Sequence, residues 1–240
     1  MKPNLPLNKA ELCIVSEKEK DIIKSLENLG IRCIAMKPTE GFSTSVGSHP
    51  DLFFLPVDDK IFLASNADSS VAYQLIDSGA ELVCVGDITE GYPIETKLNI
   101  ALVGNYAVCC RTNVPQTVIE YLISSGFTVI DQKQGYSRCS VCVVDSESII
   151  TSDKGIYNAT KYKINTLLIN PGGILLDGFD YGFIGGASVK LSEKVLGFFG
   201  RIEDHTDHEY IRDFCSSRGV EIFSLVDTPL RDIGGAVLLR

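Results

Sequence analysis

Apolar and polar residues recur along this chain as one repeating unit: two short strands, an amphipathic helix and a third strand. The clearest copy lies between Gly135 and Asn170. Its apolar runs predict three strands over residues 139–144, 148–151 and 165–170. Ser152 and Asp153 offer the N-cap side chains that a helix needs between the second strand and the third. The unit is therefore strand, strand, helix, strand.

Five copies of the unit can be recognised by the joint between the helix and the third strand. The joints read NLGIRCIAM, DSGAELVCV, SSGFTVIDQ, KYKINTLLI and SRGVEIFSL. Repeats of roughly 20–50 residues are typical of modular architectures. The N-terminal copy lacks its first strand, and one strand over residues 236–239 is left over at the C-terminus. We therefore expect the C-terminal strand to complete the N-terminal module, to bring the termini together and to close a ring without open sheet edges.

Other local patterns place polar residues near the starts of elements. Ser16 and Glu19 match an S-x-x-E capping box before the first helix. First strands of three further modules are predicted over residues 51–57, 99–103 and 182–191. His49 and Asp51 form an H-x-D pattern at the mouth of the first of these strands, where strand alternation would put both side chains on one face.

A ring of five such modules is the architecture of the pentein superfamily, the guanidino-group-modifying enzymes, and the whole chain resembles it in repeat order. Locally, SHPDLFFLPVDD and YGFIGGASVKL resemble the H-x-D and Gly-Gly strand starts of that superfamily. The resemblance implies an α/β fold: a five-module pentein ring, or pseudo-five-fold α/β propeller, forming a single domain over residues 1–240. Within the superfamily the chain most resembles an uncharacterised bacterial branch.

The last strand departs from the pattern of the enzymes that the chain resembles. Their nucleophile is a cysteine in a G-G-x-x-x-C setting on the last strand, whereas here Leu239 stands at the position of the cysteine after Gly234 and Gly235. A circularly equivalent setting occurs where Gly135 precedes Cys139 by four residues. The pseudo-symmetry of the ring would point that strand start toward the central channel.

Cys139 is the candidate nucleophile. As a thiolate it would attack the carbon of a bound guanidinium and release ammonia or an amine. Arg138 would lower the pKa of the thiol if it faced the same space, although strand alternation puts the two side chains on opposite faces. The competing interpretation is a buried strand cysteine that packs as a small apolar residue.

The remaining site candidates follow from their places in the repeat. His49 is the candidate general base, and Asp51 is the carboxylate that orients it or binds a cation. The alternative is a pair at the end of a loop, with Asp51 bonded to the backbone. The residues expected to line the ligand space are Tyr136, Arg138, Gly185, Gly186 and Gly235. The glycines equally fit a close backbone approach at the crowded axis of a ring.

Composition and charge limit the compartment, the binding partners and the cofactors that are expected for this chain. Hydrophobic residues make up 45% of the 240, which suffices for a sizeable core, and no apolar run approaches the roughly 20 residues that cross a bilayer. The N-terminus lacks a signal-peptide pattern, so we expect a cytoplasmic protein with eight reduced cysteines. The net charge of −9, without a basic patch, argues against a nucleic-acid duplex as the partner, whereas an acidic surface would tolerate a small cationic ligand. No phosphate-binding loop follows a strand, so no cofactor is expected.

Two functions stay open, and a third follows them. The first is a cofactor-free hydrolase or transferase acting on a guanidino or related C–N group through Cys139. The second is a non-catalytic ring that binds a small cationic molecule or a protein, which the leucine at position 239 favours. The third is a metal-dependent hydrolase that uses His205 and His208.

Overall fold

The computed structural model describes residues 6, 8–43 and 45–239. Within them the chain alternates short strands with short helices. The elements are β1 (Leu12–Ser16), α1 (Lys20–Asn28), β2 (Arg32–Met36), α2 (Pro50–Phe53), β3 (Phe54–Val57), β4 (Lys60–Leu63), α3 (Ser69–Asp77), β5 (Glu81–Cys84), β6 (Ala101–Val103), β7 (Tyr106–Cys109), α4 (Gln116–Ser124), β8 (Thr128–Asp131), α5 (Ser137–Ser140), β9 (Cys142–Asp145), β10 (Ser148–Thr151), α6 (Lys154–Thr160), β11 (Asn165–Leu168), β12 (Ser188–Ser192), β13 (Val195–Phe198), α7 (His208–Ser216), β14 (Glu221–Ser224) and β15 (Val237–Leu239).

The strands form three-stranded sheets with one shared topology. In each sheet the first strand pairs antiparallel with the second, and the third strand, which follows the helix, pairs parallel with the second. A parallel pair needs such a crossover, and the helix of each module supplies it. First strands of neighbouring modules contact one another, as β6 does with β9 and β9 with β12. The first strands therefore lie at the centre of a five-module pentein fold, which confirms the predicted fold class.

The chain termini share one sheet. Strand β15 pairs antiparallel with β1, with Leu12 opposite Leu239 and Ile14 opposite Val237. The prediction that the C-terminal strand completes the N-terminal module is thus confirmed. The expectation that this closure removes open sheet edges is wrong, because strand pairing stays within each module and every sheet keeps two edge strands.

The apolar core lies where neighbouring modules meet. One cluster joins β1 to β3 and α3 through residues such as Ile14, Phe54 and Val71. Phe53 and Phe54 are completely buried, and burying each such ring stabilises the fold by about 1.5–3 kcal/mol. Adjacent modules are therefore held together by packing rather than by a continuous sheet. Among the described residues, no helix is long and apolar enough to cross a membrane.

The predicted N-terminal cap is present at helix α6 and absent at helix α1. The Asp153 carboxylate accepts a hydrogen bond from the amide of Ile156 at 2.8 Å, as predicted for the N-cap of α6. The capping box at Ser16 and Glu19 is wrong, because the Ser16 hydroxyl bonds to that of Ser48 at 2.8 Å and Glu19, the N-cap residue of α1, makes no side-chain cap. Ser16 thereby connects β1 to the segment just before α2.

A turn occupies the predicted start of three first strands. One helical turn, α2, occupies residues 50–53 before β3, and another, α5, occupies residues 137–140 before β9. A turn over residues 184–187 likewise precedes β12. Pro50 favours the first of these turns because its fixed φ suits the first helical position. Asp51 and Cys139 consequently lie on helical turns and not on strands.

Candidate functional site

Short buried segments precede the first strands and meet near the centre of the fold. Backbone hydrogen bonds join them: the amide of Gly186 donates to the carbonyl of Cys139 at 2.9 Å, and the amide of Gly235 donates to the carbonyl of Gly186 at 2.9 Å. The Asn99 side chain donates to the carbonyl of Asp51 at 3.3 Å. The entry segments of different modules thus bring their polar side chains together.

Cys139 and Asp51 form a direct buried contact. The thiol donates to Asp51 Oδ2 across 2.8 Å, and the two residues are 3% and 1% exposed. Burial raises the pKa of Asp51 to about 6. Burial, followed by the charge of Asp51, raises the pKa of Cys139 well above its ordinary value, so the group is a thiol at neutral pH. The other carboxylate oxygen, Asp51 Oδ1, is buried and has no hydrogen-bond partner in the described part of the chain.

Asn99 connects the two turns that carry this pair. Its Oδ1 accepts hydrogen bonds from the amides of Arg138 and Cys139, at 2.8 and 3.2 Å. Its Nδ2 donates to Cys139 Sγ at 3.2 Å, which favours the thiolate. Asn99 was not among the predicted site residues, although it lies just before β6, as Asp51 and Cys139 lie just before β3 and β9.

Asp232 supplies a second buried carboxylate. It accepts hydrogen bonds from the amides of Phe183 and Gly234, both at 2.9 Å. Burial raises the pKa of Asp232 to about 7, and the nearby charge of Asp51 adds to the rise. A side chain on Gly186 would collide with the Asp232 carboxylate, which explains why glycine stands there. The signal in the sequence was an aspartate directly before Ile233 and the last Gly-Gly pair.

Arg138 shares the space of Asp51 and Cys139. The expectation that Arg138 and Cys139 face opposite sides is wrong, because both lie on the helical turn α5 and both interact electrostatically with Asp51. The Arg138 guanidinium donates to the carbonyl of Ala236 at 3.4 Å. Its charge favours the ionised form of Asp51 and opposes the effect of burial on that pKa. The cluster therefore contains two carboxyl groups and one half-buried cation.

His49 is buried near this cluster but is not bonded to it. Among the described residues, no hydrogen bond joins its imidazole to Cys139 or Asp51. Burial, and then the charge of Lys18, lowers the pKa of His49 to about 3, so the ring is neutral at physiological pH. The prediction that strand alternation puts His49 and Asp51 on one face is wrong, because α2 begins between His49 and β3 and contains Asp51. Gly234, at φ +72°, passes so close to His49 that a side chain there would collide with it.

The predicted ligand-lining residues surround the Cys139 turn. The Tyr136 ring stacks on Phe183 with centroids 6.0 Å apart, and its hydroxyl bonds to Glu95. Burial, together with Glu95, raises the pKa of Tyr136. Gly185 lies against the Cys139 backbone with no room for a side chain. The structure thus brings Tyr136, Arg138, Gly185, Gly186 and Gly235 together around the Cys139 turn, and a ligand-binding role for them stays a prediction.

A cleft of 1010 Å³ lies beside this region. Its walls include the residues around the start of α6, the end of β11 and four aromatic side chains, Phe179, Tyr181, Phe183 and Tyr210. Phe183 contacts both the cleft and the buried cluster. It lines the cleft, its backbone amide donates a hydrogen bond to Asp232, and its ring stacks on Tyr136. Phe183 therefore connects the wall of the cleft to the residues around Asp232.

The residues around His205, proposed above for a metal-dependent hydrolase, are hydrogen-bonded to neighbouring protein groups. His205 Nδ1 accepts a hydrogen bond from the amide of Asp207 at 3.0 Å, and the Asp207 carboxylate bonds to Asn170. These contacts shape the turn before α7. Across residues 8–43 and 45–239, no group of three His, Cys, Asp or Glu side chains is arranged to hold a metal ion.

Comparison with known proteins gives a family and a fold. The model of a family described as "Family of unknown function (DUF6873)" matches residues 14–237. The chain belongs to this family. No curated protein matches the chain.

Solved structures confirm the fold of this family member as pentein. SxtG, an amidinotransferase from Microseira wollei in the saxitoxin biosynthetic pathway, is 12% identical, with 98% of this chain and 92% of that chain covered and a TM-score of 0.58. DDAH from Pseudomonas aeruginosa complexed with citrulline is 11% identical, with 96% and 100% covered and a TM-score of 0.62. Agmatine deiminase from C. jejuni is 12% identical, with 94% and 90% covered and a TM-score of 0.56.

Proposed function

We propose that this protein is a cofactor-free enzyme that acts on a guanidino or related C–N group through Cys139. The observation that carries the proposal is the contact between the Cys139 thiol and Asp51, whose second oxygen is buried without a partner. A buried unpaired acceptor is unfavourable by about 1–3 kcal/mol. A ligand N–H group would satisfy it, and a guanidinium presents several such groups in one plane.

The charges of the cluster support a cationic ligand. When both carboxyl groups are ionised, the two negative charges of Asp51 and Asp232 outnumber the single positive charge of Arg138. Burial opposes that ionised state, as the raised pKa values of about 6 and about 7 indicate. A bound cation that donates to the carboxylates would favour their ionised forms. Structural neighbours that share the fold include an amidinotransferase and an agmatine deiminase, which is consistent with this ligand class.

In the proposed reaction the bound cation lowers the pKa of the Cys139 thiol, and Asp51 Oδ2 takes its proton. The sulfur attacks the guanidinium carbon and forms a C–S bond, while Asn99 Nδ2 donates to the sulfur. A C–N bond then breaks, and the leaving nitrogen takes the proton from Asp51 and departs as ammonia or an amine. Water, or a second amine, then attacks the same carbon and gives a proton to Asp51. The C–S bond breaks, and the released sulfur takes that proton from Asp51 and becomes the thiol again. The product is a ureido compound after attack by water or a new guanidino compound after attack by an amine, and the other proton of the attacking group leaves to solvent or to the released ammonia or amine.

The general-base role of His49 stays a prediction, since its imidazole has no hydrogen bond to Cys139 in the described structure. Asp51 has the required contact, so it is the base that we propose.

A cytoplasmic location is likewise proposed: the eight cysteines, all free thiols, fit a reducing compartment.

A non-catalytic cation-binding site is the second candidate. The protonated state of Cys139 and the leucine at position 239 favour it, because neither provides a thiolate before a ligand binds. In that case the same carboxylates bind the ligand and no bond is broken.

Turnover distinguishes the two functions. We expect the wild-type protein to convert at least one member of a panel of free and N-methylated guanidino compounds. One ammonia or amine should be released for each ureido product or, with an acceptor amine present, for each new guanidino product. Cys139→Ser should lose turnover and keep binding by calorimetry, since serine retains the size of the side chain and not its nucleophilicity. Binding without turnover in the wild type would support the second candidate. Turnover that survives Cys139→Ser would contradict the proposed mechanism.

A further inference from the structure

A second pair of reactive side chains lies in the N-terminal module, away from the cluster around Cys139. Cys13 on β1 is the register partner of Cys33 on β2, and their sulfur atoms are 3.6 Å apart. Of the eight cysteines, this is the one pair joined by a thiol–thiol contact within residues 8–43 and 45–239. The strands run parallel, so the two side chains leave the sheet on the same face.

The two thiols differ in exposure. Cys13 is completely buried among apolar side chains of the N-terminal module, including Ile22 and Leu26. Cys33 is half-buried at the border of the same cluster, on the outer strand of the sheet. A reagent in solution therefore reaches Cys33 first and reaches Cys13 only through Cys33.

Their hydrogen bond makes the pair chemically asymmetric. The contact with Cys13 lowers the pKa of Cys33, against the opposing effects of burial and of the charge of Glu27. The same contact, reinforced by burial, raises the pKa of Cys13. Thiolate character and access together select the cysteine that reacts with a disulfide. Cys33 has both, and Cys13 stands in position to attack it afterwards.

We propose that Cys13 and Cys33 are a reversible modification site that forms a disulfide by exchange with a low-molecular-weight disulfide such as oxidised glutathione. The Cys33 thiolate attacks one sulfur of the reagent, forms a mixed disulfide and releases the first glutathione thiolate. Cys13 then loses its proton and attacks the sulfur of Cys33. The protein disulfide forms, and the second glutathione leaves and takes up the proton. The protein is oxidised by two electrons, and one reagent disulfide is reduced to two thiols.

The geometry requires only a local movement. A disulfide holds its sulfur atoms about 2.05 Å apart, so the sulfurs must approach by roughly the difference from 3.6 Å. Register partners on adjacent strands have Cα atoms within the span that a disulfide bridges. Cys13 also faces Leu238 of β15 on its other side, so the bond restrains the sheet that joins the two chain termini.

The test is peptide mapping of the native full-length protein after incubation with oxidised glutathione. We expect one disulfide-linked peptide pair containing Cys13 and Cys33, which dithiothreitol reverses. Exposed Cys84 serves as an internal reporter that the reagent is active. A wild-type protein in which Cys84 is modified but no Cys13–Cys33 link forms would overturn the proposal.

Two variants test the order of the steps. Cys13→Ala should stop at a glutathione adduct on Cys33, because the resolving thiol is absent, and Cys33→Ala should leave Cys13 unmodified. Cys110→Ala is the matched control, since Cys110 is half-buried like Cys33 but contacts Thr112 instead of a thiol. It should form the Cys13–Cys33 disulfide as the wild type does. A stable adduct on Cys33 in the wild type, equal to that of Cys13→Ala, would exclude Cys13 as the resolving thiol.

Discussion

At pH 8 the Asp51→Asn variant is expected to be more stable than the wild-type protein. Asp51 has a pKa of about 6 in the folded protein, against about 3.9 in an unfolded chain. Because the folded value is raised, its stabilising contribution is full below pH 4 and is lost as the pH rises through 6. Two pKa units correspond to about 3 kcal/mol. Asparagine keeps an oxygen to accept the Cys139 hydrogen bond and removes the buried charge.

The expected difference in free energy of unfolding is therefore about 3 kcal/mol in favour of Asp51→Asn at pH 8 and close to zero at pH 4. Urea unfolding at several pH values measures it. Asp59→Asn is the control, because Asp59 is an exposed turn carboxylate and its replacement should change stability by less than about 0.5 kcal/mol. A variant less stable than the wild type at pH 8 would show that the carboxylate is stabilised by contacts other than those described.

Replacement of Asn99 by leucine is expected to cause the largest loss of stability at the site. Leucine is close to asparagine in shape, but it cannot accept the hydrogen bonds from the backbone amides of Arg138 and Cys139. It also cannot donate to the backbone carbonyl of Asp51. Asn99 is 1% exposed, so water cannot replace these partners. Each buried donor left unsatisfied is unfavourable by about 1–3 kcal/mol, which gives a loss of about 3–5 kcal/mol.

The matched control is Asn66→Leu. Asn66 also bonds to the backbone in both directions, donating to the carbonyl of Ile88 and accepting from its amide, but it is only half-buried. Water can replace those partners, so the loss in urea unfolding should be about 1 kcal/mol. If Asn99→Leu were no more destabilising than Asn66→Leu, the hydrogen bonds of Asn99 would not be what holds the two turns together.

The modules were predictable because each depends on local patterns. Apolar runs marked the strands, and the glycines that end α1, α3 and α4 have the positive φ expected of helix C-termini: Gly30, Gly79 and Gly126. The pairing of β15 could be predicted because the N-terminal module lacked its first strand and the C-terminus carried one strand that belonged to no other module. These features need no knowledge of which distant residues meet.

The turns at the site were not predictable from the same patterns. A short apolar run such as LFFLPV fits a strand and a buried helical turn equally, so α2 and α5 were assigned to strands. The convergence of Asn99 on Cys139 joins residues 40 positions apart, and that of Asp51 on Cys139 joins residues 88 apart. Only the arrangement of the modules around the centre brings them together. Asp51 and Cys139 were identified because an H-x-D pattern and a glycine four residues earlier marked their predicted strand starts, whereas Asn99, also at a predicted strand start, and Asp232 carried no such pattern.

Selective alkylation of Cys139 tests the central claim most directly. A haloacetamidine carries the planar positive charge of a guanidinium, and the corresponding haloacetamide is a neutral reagent of the same size. If the carboxylates around Cys139 bind such a cation, mass spectrometry should locate the amidine on Cys139, with faster labelling than by the amide and protection by a guanidino compound. Exposed Cys84 should show neither the preference nor the protection. Equal labelling of Cys139 by both reagents, unaffected by the guanidino compound, would contradict a guanidinium site at Asp51 and Cys139.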